Sequence, residues 1–87
     1  MTDVHLPSTL LALFPGLSRH LEAEGATVAD LLAELDGRYP GLQDRLCEPG
    51  PRLRPHIHVY VGGQRAQLTT SVDDRDRVDV IAAISGG

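Results

Sequence analysis

TVADLLAEL, residues 27–35, is the stretch that decides the fold. Its large apolar residues recur at every third or fourth position, which places them on one face of an α-helix: Val28, Leu31, Leu32 and Leu35. Thr27 suits the N-cap, and the carboxylate of Asp30 follows three residues later. Pro40 disfavours helical geometry in the residue before it, so the helix is predicted to end between Asp36 and Tyr39.

Stretches of apolar residues, most of them alternating with polar ones, flank this helix and predict five β-strands. They are predicted at residues 3–6, 19–23, 56–61, 64–68 and 78–82. Gly62-Gly63 supplies a two-residue hairpin turn between the third and fourth strands. The leucine-rich connection at residues 8–16 has room for one helical turn, residues 41–46 predict another short turn, and the proline-rich residues 48–55 predict an extended surface loop.

The order of these elements predicts an α+β fold. Because the helix has a single apolar stripe, the economical arrangement lays it across one face of a single mixed five-stranded sheet. The last strand is apolar on both faces, which predicts a central place parallel to the first strand. This arrangement is a β-grasp, and 87 residues leave room for one such domain, 1–87.

Charge and cysteine content restrict the function. The formal net charge of -4 disfavours nucleic acid and anionic membranes, since both reward clustered Lys and Arg. The single cysteine, Cys47, excludes an intramolecular disulfide, and the N-terminus lacks the layout of a signal peptide. No apolar run approaches the roughly 20 residues that cross a bilayer. We therefore expect a cytoplasmic protein that acts through protein partners.

Five stretches together carry a family resemblance. They are TVADLL at 27–32, RYPGL at 38–42, RPHIHVYV at 54–61, DDRD at 73–76 and AISGG at 83–87. In this order they resemble the ThiS/MoaD family of small sulfur carriers, which are ubiquitin-like β-grasp proteins. The length and the proline-rich insert resemble the molybdopterin-synthase small subunit and the cysteine-biosynthesis carriers more than the short thiamin carrier. The resemblance spans the whole chain.

The resemblance implies that the terminal Gly-Gly is the reactive end. In this family an ATP-dependent enzyme of the ubiquitin-activating type adenylates the C-terminal carboxylate, and sulfur then replaces the adenylate as a thiocarboxylate. Gly87 would carry the sulfur, and Gly86, without a Cβ, would let the backbone enter a closed nucleotide site. Ile84 and Ser85 would extend a flexible tail of residues 83–87.

A sulfur-accepting synthase is the second implied partner, in the biosynthesis of molybdopterin, cysteine, thiamin or a sulfur-containing secondary metabolite. The chain would be a cosubstrate with no bound cofactor and not an enzyme, because it offers no set of nucleophile, base and oxyanion donor. Ile81, Tyr60 and His58 are candidates for a docking surface beside the tail. Two other functions stay open: a protein modifier joined through Gly87 to lysines, and a non-catalytic binding subunit.

Other chemically suggestive residues have simpler interpretations. His56 and His58 point the same way on a strand but have no Cys or carboxylate at metal-ligand spacing, so we predict a polar face and no metal site. A lone cysteine such as Cys47 is more often an inert apolar residue than a reactive thiol. The aspartates of residues 73–76 alternate with arginine and predict a solvated turn, not a calcium site.

Overall fold

A computed structural model describes residues 1–83 of the chain. The elements in that part, in chain order, are β1 (Thr2–His5), α1 (Ser8–Leu11), β2 (His20–Ala23), α2 (Val28–Arg38), α3 (Leu42–Leu46), β3 (Cys47–Glu48), β4 (Arg52–Leu53), β5 (Ile57–Val61), β6 (Gln64–Ala66) and β7 (Arg77–Ala82). The five predicted long strands and the predicted main helix are all present, with ends that differ from the predicted ones by one or two residues.

Helix α2 begins and ends where its sequence predicts. The hydroxyl of Thr27 accepts a hydrogen bond from the backbone N–H of Asp30 at 3.2 Å, which satisfies one of the free donors of the first turn. The helix ends at Arg38, and its apolar stripe is buried to at least 99% at every position: Val28, Leu31, Leu32 and Leu35. At 11 residues α2 is too short to span a bilayer, and no helix within residues 1–83 is long and apolar enough to cross a membrane.

The main sheet has the strand order β2-β1-β7-β5-β6, which confirms a mixed five-stranded sheet. The central strand β7 pairs parallel with β1 and antiparallel with β5. Its inward residues Val78 and Val80 join the same buried cluster as the apolar stripe of α2. The helix therefore covers one face of the sheet, as predicted.

The last strand has the predicted central place, parallel to β1, but only one of its faces is covered. Val78 and Val80 are buried, but the alternate residues Arg77 and Ile81 are exposed, with Ile81 at 47%, and Asp79 is half-buried. The strand is central because it has a hydrogen-bonded neighbour on each side. The apolar composition of a strand does not say how many of its faces are covered. One face of the sheet is therefore open.

The predicted surface loop at residues 48–55 contains a small hairpin. Cys47 pairs with Leu53 and Glu48 with Arg52, and the Arg52 Nε lies 2.7 Å from the Glu48 Oε2. Leu53 packs against the core, which anchors the hairpin. Strands of two residues are too short to show periodicity, so the sequence pattern gave no sign of them.

The predicted Gly62-Gly63 turn joins β5 to β6. Both glycines have positive φ, 57° and 84°, as a tight two-residue hairpin of the type I′ class requires. Residues with a Cβ resist this conformation. The turn sets the register in which Val61 faces Gln64, and so confirms the predicted hairpin.

The packing of α2 on the sheet predicts a specific loss of stability. Leu35 is 0% exposed, so Leu35→Ala should lower the free energy of unfolding by about 2–5 kcal/mol, because it removes buried methyl groups and leaves a cavity. Urea denaturation followed by circular dichroism measures it. Leu13, at 49% exposure, provides the matched control: Leu13→Ala should change stability by no more than about 0.5 kcal/mol. Equal losses in the two variants would contradict this account of the core.

Candidate functional site

The last described residue, Ala83, remains attached to the sheet. Its backbone N–H donates to the carbonyl oxygen of His56 at 2.8 Å, one position beyond the pairing of Ala82 with Ile57. Ala83 therefore lies at the edge of the sheet where β7 ends and β5 begins. Ile84, Ser85, Gly86 and Gly87, the predicted tail and reactive residues, lie outside the described residues.

The three predicted docking residues lie together on the open face of the sheet. The register of β5 and β7 places His58 opposite Ile81, and Tyr60 opposite Asp79. Side chains alternate along a strand, so these four share the face that α2 does not cover. Ile81 is 47% exposed, whereas His58 and Tyr60 are half-buried. We call these four residues the docking face; Ile81 lies two residues before Ala83 and so borders the point where the tail leaves.

His58 has a further property that its sequence position did not indicate. Its Nδ1 is shielded from solvent and has no hydrogen-bond partner among the described residues. A buried polar atom without a partner costs free energy, because it loses water and gains nothing in exchange. The docking face therefore contains a ring nitrogen that a rotation of the His58 side chain would present to a donor or acceptor of a partner.

A polar cluster that the sequence analysis missed lies beside the docking face. The His5 Nε2 is 3.1 Å from the Asp3 Oδ2, and its Nδ1 is 3.5 Å from the Asp79 Oδ1. The His5 ring stacks on His20, with 4.0 Å between ring centroids. The antiparallel register of β1 and β2 produces this stack by pairing His5 with His20. In residues 1–83 no three His, Cys, Asp or Glu side chains are grouped so as to hold a metal ion.

A groove of about 650 Å³ lies next to Ala82, on the side of the sheet opposite the docking face. We call it the tail-exit groove; its lining includes Leu10, Leu13, Arg45, Arg54, His56 and Ala82. The Arg54 Nε and Nη2 donate to the carbonyl oxygen of Asp44 at 3.0 and 2.8 Å, which orients this guanidinium group. Arg45 lies in helix α3 and Arg54 directly follows the β3–β4 hairpin, and both line this groove. Sequence spacing did not indicate this, because that hairpin was not predicted.

Cys47 follows Leu46, a residue of the groove lining, and is 7% exposed. Burial raises the pKa of its thiol; the Arg54 guanidinium lowers that pKa and the Asp44 carboxylate raises it, each by less than burial does. The thiolate is the nucleophilic form of cysteine, so a raised pKa keeps the side chain protonated and unreactive at neutral pH. These properties agree with the interpretation of Cys47 as an inert apolar residue.

Several known proteins are similar to this chain over most of its length. Small archaeal modifier protein 3 of Haloferax volcanii is 37% identical over 68 residues, which are 74% of this chain and 73% of that protein. The sulfur carrier protein CysO of Mycobacterium tuberculosis is 27% identical over 85 residues, 91% of each chain. A chain in the crystal structure of the Amycolatopsis orientalis BexX/CysO complex has a TM-score of 0.89 and 28% identity, with 100% of both chains covered.

A family comparison covers nearly the whole chain. The model of the ThiS family matches residues 6–87, which include every strand of the main sheet except the first, β1. Members of this family are small carrier proteins and not catalysts. The match confirms the predicted family resemblance, and the solved structures confirm the ubiquitin-like β-grasp. The chain belongs to the ThiS family.

Proposed function

We propose that this chain is a sulfur carrier that holds sulfur as a thiocarboxylate at Gly87. The observation that carries the proposal is the position of Ala83, which is hydrogen-bonded at the end of β7, at the border of an open docking face; in the sequence Ile84-Ser85-Gly86-Gly87 follow it directly. The ThiS family match extends to Gly87, and the similarity to the sulfur carrier CysO supports the same function.

The proposed chemistry has two steps, both catalysed by partner enzymes. The first step activates the Gly87 carboxylate, because a free carboxylate is a poor electrophile. One of its oxygens attacks the α-phosphorus of ATP, and pyrophosphate leaves. In the second, the sulfur of hydrosulfide, HS⁻, attacks the carbonyl carbon of the acyl-adenylate, AMP leaves and the proton on sulfur is lost to solvent. The product is a thiocarboxylate, a better nucleophile than the carboxylate it replaces.

The tail supplies reach and access for these steps. Four residues beyond Ala83, at 3.3–3.6 Å each, extend roughly 13–14 Å. That length lets Gly87 enter a partner's active site while the docking face binds the surface around it. A Gly at position 86 lets the backbone pass through a channel too narrow for a Cβ.

The partners follow from the chemistry. An adenylating enzyme of the ubiquitin-activating type would bind ATP and the tail, and a sulfur-accepting synthase would take the sulfur. The chain would be a single-domain cosubstrate, residues 1–87, that binds no cofactor of its own, acts in the cytoplasm and catalyses no reaction. The crystal structure of a BexX/CysO complex supports the idea that carriers of this fold work while bound to another protein.

A second candidate function is protein modification. The observation in its favour is the 37% identity to small archaeal modifier protein 3, which is higher than the 27% identity to CysO. Both functions begin with adenylation of Gly87 and differ only in the nucleophile that displaces AMP: sulfur for a carrier, a lysine amine of a target for a modifier.

Sulfur loading is the direct prediction. When the chain is incubated with a cognate adenylating enzyme, ATP and sulfide, its intact mass should rise by the difference between one sulfur and one oxygen atom. Gly86→Ala should slow loading because the added Cβ hinders entry into the nucleotide site. Gly37→Ala is the matched control: a Cβ there meets nothing within 4 Å, so loading should proceed as in the unmodified chain.

Two results would count against sulfur loading. If no cognate enzyme adds sulfur to a correctly folded chain, the carrier function is wrong. If deletion of Gly86 and Gly87 leaves the protein's cellular function intact, the chain is a binding subunit instead. A ladder of isopeptide conjugates between Gly87 and lysines in cell extract, with no free thiocarboxylate, would favour the modifier.

The docking face predicts an affinity change. Ile81→Ala should weaken binding to the adenylating enzyme by roughly tenfold, about 1.4 kcal/mol, because an exposed aliphatic side chain would be buried in the complex. Isothermal titration calorimetry measures the dissociation constant. Gln67→Ala is the control, since Gln67 is exposed and lies outside both the docking face and the groove beside Ala83. Unchanged affinity for Ile81→Ala would remove this residue from the proposed interface.

Cys47 should take no part in sulfur transfer. Its thiol is buried and has a raised pKa, so Cys47→Ala should leave both the rate and the extent of sulfur loading unchanged. Mass spectrometry over the time course of loading tests this, with thermal unfolding to establish that the variant is folded. A folded variant that no longer accepts sulfur would show that the thiol is a relay.

A further inference from the structure

The tail-exit groove fits the chain's own last four residues. We propose that residues 84–87 bind back into this groove in the resting protein, with the Gly87 carboxylate paired to the guanidinium groups of Arg45 and Arg54, until a partner enzyme draws them out. The inference rests on the proposed function in one respect: it takes Gly87 as the reactive C-terminus.

The direction of the chain at Ala83 supports this placement. Ala82 lines the groove, and the hydrogen bond from Ala83 to the carbonyl of His56 holds the chain against a residue of the groove wall. The residues that follow Ala83 therefore begin at the mouth of the groove. Their reach of roughly 13–14 Å allows Gly87 to approach any part of a groove of about 650 Å³.

Charge complementarity supports a carboxylate as the group that is bound. Three arginines of the described chain pair with carboxylates: Arg38, Arg52 and Arg77. Within residues 1–83 the other five arginines form no such pair, and Arg45 and Arg54 are the two of these five that line the tail-exit groove. A guanidinium group binds a carboxylate through two parallel hydrogen bonds, which makes two arginines in one groove well suited to a chain terminus.

The balance of charge in the groove stays positive when its acidic residue is included. Asp44 also lines the groove and would repel a carboxylate. Two guanidinium groups against this one carboxylate leave a net charge of +1 with His56 neutral, in a protein whose formal charge is -4. The half-buried Arg54 is held in place by its hydrogen bonds to the Asp44 carbonyl, so less conformational entropy is lost when it binds an anion.

Apolar residues in the same groove suit the first residue of the tail. Leu10 and Leu13 line the groove, and Leu13 is 49% exposed. An Ile84 side chain packed there would remove apolar surface from water on both sides. In this bound state Gly87 would be screened from solvent and from carboxypeptidases, which would preserve a thiocarboxylate between the enzyme that forms it and the enzyme that uses it.

Nuclear magnetic resonance of three ¹⁵N-labelled forms tests the inference: the full chain, the chain ending at Ala83, and the full chain with Gly87 as a carboxamide. The Nε–H resonances of Arg45 and Arg54 should differ between the full and the shortened chain. The carboxamide should bring them towards the shortened form, because it removes the charge and keeps the residues. Arg52, already paired with Glu48, is the internal control and should not shift.

Four outcomes would overturn the inference. The first two concern the full and the shortened chain: no difference at either groove arginine, or shifts confined to the docking face. The third is identical spectra for the carboxamide and the free acid. The fourth is a set of shifts that grow with protein concentration, which would mean that the tail of a second copy is bound. Arg45→Gln provides an independent variant, since the exposed Arg45 has no hydrogen bond to a described residue through its side chain and its replacement should not affect folding. In that variant the shift at Arg54 on removal of residues 84–87 should shrink.

The test separates this inference from the proposed function. The spectra use the unloaded carboxylate and need neither ATP nor sulfur, so they report on groove binding alone. A chain that accepts sulfur but shows no groove shifts would retain the carrier function and lose the resting position. If the chain shows the groove shifts but accepts no sulfur, the resting position of the tail is retained and the carrier function is lost.

Discussion

The packing of the α2 stripe on one face of the sheet is the constraint on which the rest of the structure depends. Leu31, Leu32 and Leu35 are buried against the inward valines of the central strand, in a domain whose core has few aromatic residues. A single helix has one apolar stripe and can cover only one face. The opposite face of the sheet is therefore left open, and the strand whose end leads to the tail lies in the middle of that open face.

This arrangement separates stability from function. The covered face holds the fold together, and the open face offers Ile81 and Tyr60 beside the strand that leads to the tail. Ala83, the last described residue, lies between two different surfaces, the docking face and the arginine-lined groove. A carrier needs two states for its terminus, one delivered to an enzyme and one at rest, and the two surfaces offer a place for each.

The sequence predicted what depends on short-range pattern. The α2 stripe, the Thr27 cap and the Gly62-Gly63 turn follow from spacing and from conformational preference, and the structure has all three. The β3–β4 hairpin has strands of two residues, too short for any period to be visible. The His5 stack on His20 and the presence of Arg45 and Arg54 in one groove depend on strand register and on how loops fold back, which local spacing does not specify.

Top-down mass spectrometry of the protein isolated from its own cells tests the central claim most directly, because it reads the chemical state of the terminus without a chosen partner enzyme. The account predicts a population in which one terminal oxygen is replaced by sulfur, with fragment ions that place the change at Gly87 and with loss of the added mass on hydrolysis. A terminus found only as the carboxylate, under conditions in which the cells need sulfur for biosynthesis, or found only in isopeptide linkage to lysines, would contradict it.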